Sequence, residues 1–217
     1  MKTYKKAAAL LLAILLIASL AACGEDSTKS KMDELIGTWK MNEYFDAENT
    51  QAMLEYFGFD DEELEYADLE GVYLVKLLIL NEDKSYSMEY DVSASEAALR
   101  NYVDSYINDL YEQKDNLTDI YGEDIVECES IEDFQSFYAW LYDYDTYEEY
   151  LDAVIEGMSE GMELSDNVNE TGVYQVKDDT LEMKVDGESE YEYVDYAISG
   201  NQLTIEYSNV TEVYTKA

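Results

Sequence analysis

Three kinds of side chain in this sequence could do chemistry: two cysteines, a large excess of carboxylates, and 22 tyrosines; there is no histidine. Cys23 directly follows Leu20-Ala21-Ala22. Two small residues suit a peptidase site, and a thiolate placed just after them can take a diacylglyceryl thioether. With Cys23 committed in that way, Cys128 has no partner within the chain for a disulfide. Cys128 also follows Val126-Glu127 in an acidic stretch, which raises a thiol pKa and works against a reactive thiolate. Without histidine, the zinc sites that use it and every nucleophilic triad built on imidazole are excluded.

The chain holds 51 acidic residues. Two carboxylates about 5–9 Å apart can hydrolyse a glycoside when burial raises the pKa of one of them. Here no acid stands inside an otherwise apolar strand, so the acids are expected on solvated surface and no catalytic residue is assigned. Asp143-Tyr144-Asp145 begins like a calcium loop, but the required glycine and the later ligand spacing are missing. Asp60-Asp61-Glu62-Glu63 reads as negative charge at a helix start. No formed metal site and no cofactor are expected, only weak, diffuse Ca²⁺ binding. Tyrosine rings could stack on sugars, yet Tyr86, Tyr90, Tyr102, Tyr106 and Tyr196 fall at inward positions and read as core.

The reactive cysteine sits at the end of a recognisable leader. Lys2, Lys5 and Lys6 precede an apolar run from Ala7 to Leu20 broken only by Ser19. A run this short between basic and small residues is a secretory signal, not a membrane span. Leu20-Ala21-Ala22-Cys23 resembles the lipobox of bacterial lipoproteins. The resemblance implies cleavage before Cys23, lipid attachment at Cys23, acylation of the new amine, and a location at the cell membrane outside the cytoplasm. Two acyl chains at ~0.8 kcal/mol per buried methylene form a firm anchor.

The implied organisation is a signal over 1–22, a lipidated polar tether over 23–34, and one domain over 35–217. All 51 acids and ten of the 13 basic residues lie after residue 22, giving side-chain charge −41. Such a surface repels nucleic acid and favours cationic partners. The abundant aromatic and branched residues argue against disorder.

Within the domain, strand-like and helical patterns alternate. Strands are expected over Ile36–Phe45, Val72–Leu80, Tyr86–Val92, Val173–Val176, Leu181–Val185, a segment over Tyr191–Ile198 in which Tyr191 and Tyr193 share one parity and Val194, Tyr196 and Ile198 the other, reconciled by a bulge near Tyr193, and Leu203–Tyr207, with Val210–Thr215 as an eighth. Helices are expected at Thr50–Phe57 and Asp60–Ala67, then as a block over about 94–165. That block contains Ser95–Glu112 with Ser95 as N-cap, a second helix capped by Ser130, and a third capped by Thr146. Seven or eight short antiparallel strands bury their edges best by closing into a barrel. The apolar residues on both faces of Val72–Leu80 call for a cover, which the helical block can supply.

Gly37-Thr38-Trp39 on the first strand resembles the Gly-x-Trp signature of lipocalins. LIGTWK, Leu78–Tyr86, GVYQVKDDTLEM and YAISGNQLTIEY are similar to the lipocalin-like domains of bacterial lipoproteins. The resemblance covers about residues 35–92 and 171–215 and implies an antiparallel lipocalin-like barrel of seven or eight strands; with the helical block over about 94–165 lying outside it as a large insertion, the expected fold is α+β. Gly37 and Trp39 are its signature residues. Lipocalins pack an Arg over that Trp near the last strand; here the only Arg is Arg100, inside the insertion, and Lys216 is the available substitute.

The expected role is therefore that of a non-enzymatic, surface-tethered binding protein. Its ligand would be a small apolar molecule, in the barrel, or a cationic or protein partner held by the insertion. A carboxylate-dependent glycan hydrolase of the cell envelope is the alternative.

Overall fold

A computed structural model describes residues 31–162, 164, 170–178, 180–208 and 210–217. Residues 1–22, Cys23 and the first part of the tether lie outside the described residues. Eight strands form a closed antiparallel barrel in chain order. They are β1 (Gly37–Tyr44), β2 (Tyr73–Leu80), β3 (Ser85–Tyr90), β4 (Glu170–Lys177), β5 (Thr180–Val185), β6 (Glu192–Ser199), β7 (Gln202–Glu206) and β8 (Thr211–Lys216). The expected eighth strand is present, and β8 pairs with β1, so the ring has no open edge. Helices are α1 (31–35), α2 (Ala47–Tyr56), α3 (Val92–Glu112), α4 (Thr118–Tyr121), α5 (Ile131–Leu141) and α6 (Tyr147–Gly161). The fold is an α+β barrel with a helical insertion between β3 and β4.

Four local expectations are corrected. Residues 31–34 are helical and do not belong to the tether, and the helix delivers Leu35 into the barrel core. No bulge interrupts β6: its register runs unbroken from Glu192 opposite Met183 to Asp195 opposite Thr180. Tyr191 stops short of the strand and Tyr193 is exposed, so the parity of buried Val194 prevails. Residues 60–67 do not form an α-helix; Asp60 caps a turn by accepting from the Glu62 amide, and only Leu64–Tyr66 makes a 3₁₀ turn. Helix α3 starts before Ser95. Asp91 is its N-cap, accepting from the Ala94 amide. Ser95 is buried, and its hydroxyl accepts a hydrogen bond from the Val75 amide at 2.9 Å.

The other caps are as expected. Ser130 accepts from Asp133 N–H and Thr146 from Glu149 N–H, each satisfying an amide that the first helical turn leaves without a partner.

The chain divides into two compact units. The barrel unit contains the described residues up to Met41 together with Leu78–Met88 and Glu170–Ala217; the helical unit contains Asn42–Leu77 and Glu89–Asn169. In the barrel unit, alternation brings Leu181, Met183, Val194, Leu203, Ile205 and Tyr214 together with Trp39, Leu78, Leu80, Tyr86 and Tyr174. Each such side chain contributes roughly 1.5–3 kcal/mol on burial. Two buried tyrosines end on acceptors: the Tyr86 hydroxyl donates to Glu170 Oε1 at 2.7 Å and that of Tyr174 to the Asn81 carbonyl at 2.8 Å.

The helical unit has its own core. Leu99, Val103, Tyr106, Ile107 and Leu110 of α3 meet Phe134 and Tyr138 of α5 and Leu151, Ile155 and Met158 of α6. Val72 and Leu74 belong to this core, whereas Leu78 and Leu80, of the same parity, belong to that of the barrel. One face of β2 is thus divided between two cores. On the opposite face Val75 is buried, while Tyr73, Leu77 and Ile79 are half-buried. No helix among the described residues is long and apolar enough to cross a membrane.

Candidate functional site

The first sequence-assigned site, Cys23, lies outside the described residues. The signature pair Gly37 and Trp39 is brought together with Lys216. Trp39 is fully buried, and its indole N–H donates to the Leu35 carbonyl at 2.6 Å. Lys216, its register partner on β8, holds Nζ 5.0 Å from the ring centroid and donates to the Glu34 carbonyl at 3.1 Å. Gly37 has φ +134°, and a Cβ there would lie 3.2 Å from Lys216 Cε. The cluster clasps the first and last strands.

Cys128 is buried. Its thiol is pushed up mainly by desolvation, with Lys114 acting in the opposite sense. The direction is the expected one, but burial outweighs the acidic neighbours. Among the described residues no group of three potential metal ligands comes together, Asp143 and Asp145 included. Arg100 pairs with Glu148 and Asp152, joining α3 to α6 at the surface.

The acids are not all on solvated surface. Glu63 is wholly buried, and both the Tyr106 and Tyr138 hydroxyls donate to its Oε1 at 2.7 Å. Its Oε2 has no hydrogen-bond partner among the described residues. Desolvation raises the Glu63 pKa, and the two tyrosine hydrogen bonds oppose that rise. The hydroxyls of Tyr138, Tyr142 and Tyr150 are pushed up in turn, by burial first and also by the Glu63 charge. Glu182 is the other buried carboxylate among the described residues, where Gln175 on β4 donates to it across the register.

Two clefts open in the helical unit around Phe57. The first encloses about 560 Å³ between α2, β2 and the end of α6; Phe45, Met53, Tyr56, Phe57, Leu74 and Met162 line it. Tyr90, read from sequence as core, also lines this cleft, and its hydroxyl donates to Glu43 at 2.6 Å. Close packing shapes this wall: a Cβ on Gly161 would lie 2.7 Å from Phe57 Cε1. The second cleft encloses about 250 Å³ and is lined by Phe57, Phe59, Tyr142, Tyr144, Tyr150 and aliphatic residues of α6. The barrel-unit core, by contrast, is occupied by its own side chains.

Both clefts escaped sequence reading because their walls come from segments far apart in the chain. The one available signal was the density of aromatics over Tyr138–Tyr150. Comparison of the chain with protein-family models, curated proteins and solved structures finds no match.

Proposed function

We propose that this chain is an exported, lipid-anchored, non-enzymatic binding protein that takes a small, mainly apolar ligand in the 560 Å³ cleft of its helical unit. The lining of that cleft carries the reading. Its size falls in the range of small-molecule sites. Two thioethers, Met53 and Met162, stand beside aromatic rings and give an adaptable apolar wall. Glu43 fixes the Tyr90 hydroxyl, which supplies a polar group for orientation. The leader and the Leu20-Ala21-Ala22-Cys23 sequence support export and lipid anchoring, and the resemblance of the strand hairpins to lipocalin-like domains supports a carrier or sensor role. The barrel acts in this reading as scaffold.

The test is titration with a neutral environment-sensitive probe, N-phenyl-1-naphthylamine. Saturable binding at one site is expected, and Met162→Trp, which fills the cleft, should weaken it at least tenfold. Absence of saturable binding, or equal binding by Met162→Trp, would overturn the assignment.

A further inference from the structure

We propose that the ligand of the first cleft is a cationic amphiphile, an apolar body that carries an ammonium group at one end. This rests on the reading of that cleft as a ligand site and names the chemistry that its electrostatics select. The cleft has a buried floor and an open mouth. Leu74 of β2 is almost wholly buried and closes the bottom, whereas Ala52, Tyr56 and Gly161 are exposed and mark the rim. No charged side chain among the described residues lines it, so the walls take the apolar body and a charge is met only at the mouth.

Two helices end at that mouth. Tyr56 is the last residue of α2 and Phe57 its C-cap; Gly161 is the last residue of α6 and Met162 its C-cap; all four line the cleft. The C-terminal end of a helix carries the negative pole of its aligned peptide dipoles. A Lys or Arg in the last turn would balance that pole, and neither helix has one. Each has an acid instead. Exposed Glu55 adjoins Tyr56 and accepts from Gln51 Nε2 at 2.6 Å; exposed Glu160 adjoins Gly161. Glu43 of β1 accepts from the Tyr90 hydroxyl at 2.6 Å, which sets a further carboxylate one hydroxyl away from the wall.

No cation of this unit answers those charges from within the lining. Arg100 pairs with Glu148 and Asp152, and Lys114 donates to the Cys128 carbonyl. Lys76, two residues beyond Leu74 on β2, has a partner of its own and does not line the cleft. A carboxylate head would therefore meet charge of its own sign, and an uncharged head would gain nothing from it. An ammonium is attracted, and it can donate to the last carbonyls of a helix, which lack partners within the helix. A bare metal ion has no body to fill the apolar walls, and among the described residues no group of three potential metal ligands comes together.

The purified full chain, loaded with N-phenyl-1-naphthylamine, is titrated with decylammonium, decanol and decanoate, each below its micellar range. Displacement should fall in that order, by about threefold or more at each step. Glu43→Gln keeps an acceptor for the Tyr90 hydroxyl, and Glu160→Lys balances the dipole of α6 and so favours its folding. Each should lower the preference for decylammonium over decanol by about two- to fivefold. The overall acidity of the chain attracts cations everywhere, so Glu112→Gln is the control: it removes the same charge at the exposed end of α3, which does not line the cleft, and should leave the preference unchanged. Displacement by decylammonium no stronger than by decanol or decanoate overturns the charge assignment, while saturable probe binding keeps the cleft as a site. A preference untouched by Glu43→Gln and Glu160→Lys, or lowered as much by Glu112→Gln, assigns it to the overall charge and overturns the inference equally. Absence of saturable probe binding overturns the cleft reading and this inference with it.

Discussion

Lys216 sits directly across the sheet from Trp39, with its ammonium 5.0 Å from the centre of the indole ring. The same ammonium reaches the Glu34 carbonyl, while the indole N–H reaches the Leu35 carbonyl, so one residue of β8 and one of β1 both tie down the end of α1. Lys216 is exposed, so its contribution belongs at the lower end of the cation–π range. Lys216→Ala should cost about 0.5–1.5 kcal/mol in chemical denaturation. Lys216→Arg should restore most of that, because a planar guanidinium stacks on the ring. Gly37→Ala should cost more, about 1–3 kcal/mol, since it adds positive-φ strain to the 3.2 Å approach to the lysine stem.

The proposed export and lipid anchoring make a prediction independent of the folded domain. Cys23→Ala should abolish fatty-acid labelling and release the protein from the membrane fraction, or leave it unprocessed. Unchanged membrane association with cleavage at the same bond would show that Cys23 is not the lipid site.

Gly161 and Gly157 lie one turn apart on α6 but meet different surroundings. A Cβ at Gly157 has nothing within 4 Å, so Gly157→Ala should stabilise by about 0.5–1 kcal/mol through helix propensity. A Cβ at Gly161 would meet the far end of the Phe57 ring at 2.7–2.8 Å. That ring can swing aside, and the clefts on both of its sides should then change shape. Gly161→Ala should therefore leave the melting temperature within a few degrees of the parent and weaken N-phenyl-1-naphthylamine binding severalfold, while Gly157→Ala leaves binding unchanged. Equal probe affinity in both variants would mean that Phe57 does not shape the first cleft.

Legibility followed the range of the interactions. The hairpins were readable because period-two alternation and turn residues are local signals, as in Leu181–Val185 after Asp178. Ser130 and Thr146 could be named as caps because the residues they serve are three positions away. Ser95 satisfies the same local rule, but Asp91 takes the capping position and the serine hydroxyl is engaged by Val75, 20 residues earlier. Glu63 failed in the same way. In an acidic run it is indistinguishable from Asp60 to Glu62, and only the Tyr106 and Tyr138 hydroxyls, 43 and 75 residues further on, make its burial tolerable.

That burial predicts a pH dependence with a definite sign. Desolvation raises the Glu63 pKa above its ordinary 4.5, against the opposing hydrogen bonds from Tyr106 and Tyr138. Asp60 adds to the rise, and the Tyr142 and Tyr150 hydroxyls near the carboxylate stay neutral, since their own pKa values are also raised. Between pH 4.5 and the raised value the folded chain binds more protons at this site than the unfolded chain does. Its contribution to stability is therefore fully present below pH 4.5 and is lost as pH rises through the folded value. Glu63→Gln keeps a carbonyl acceptor for the two hydroxyls and removes the titration. Subtracting the variant's denaturation free energy from the parent's cancels the repulsion among the remaining acids. The difference should turn against the parent as pH rises from 4.5 to 8, by about 1.4 kcal/mol for each pH unit of elevation. Tyr106→Phe removes one donor to the carboxylate and should steepen the trend. A difference that is flat with pH would show that Glu63 titrates as a solvated acid, and that the ring of tyrosines encloses a polar network open to water.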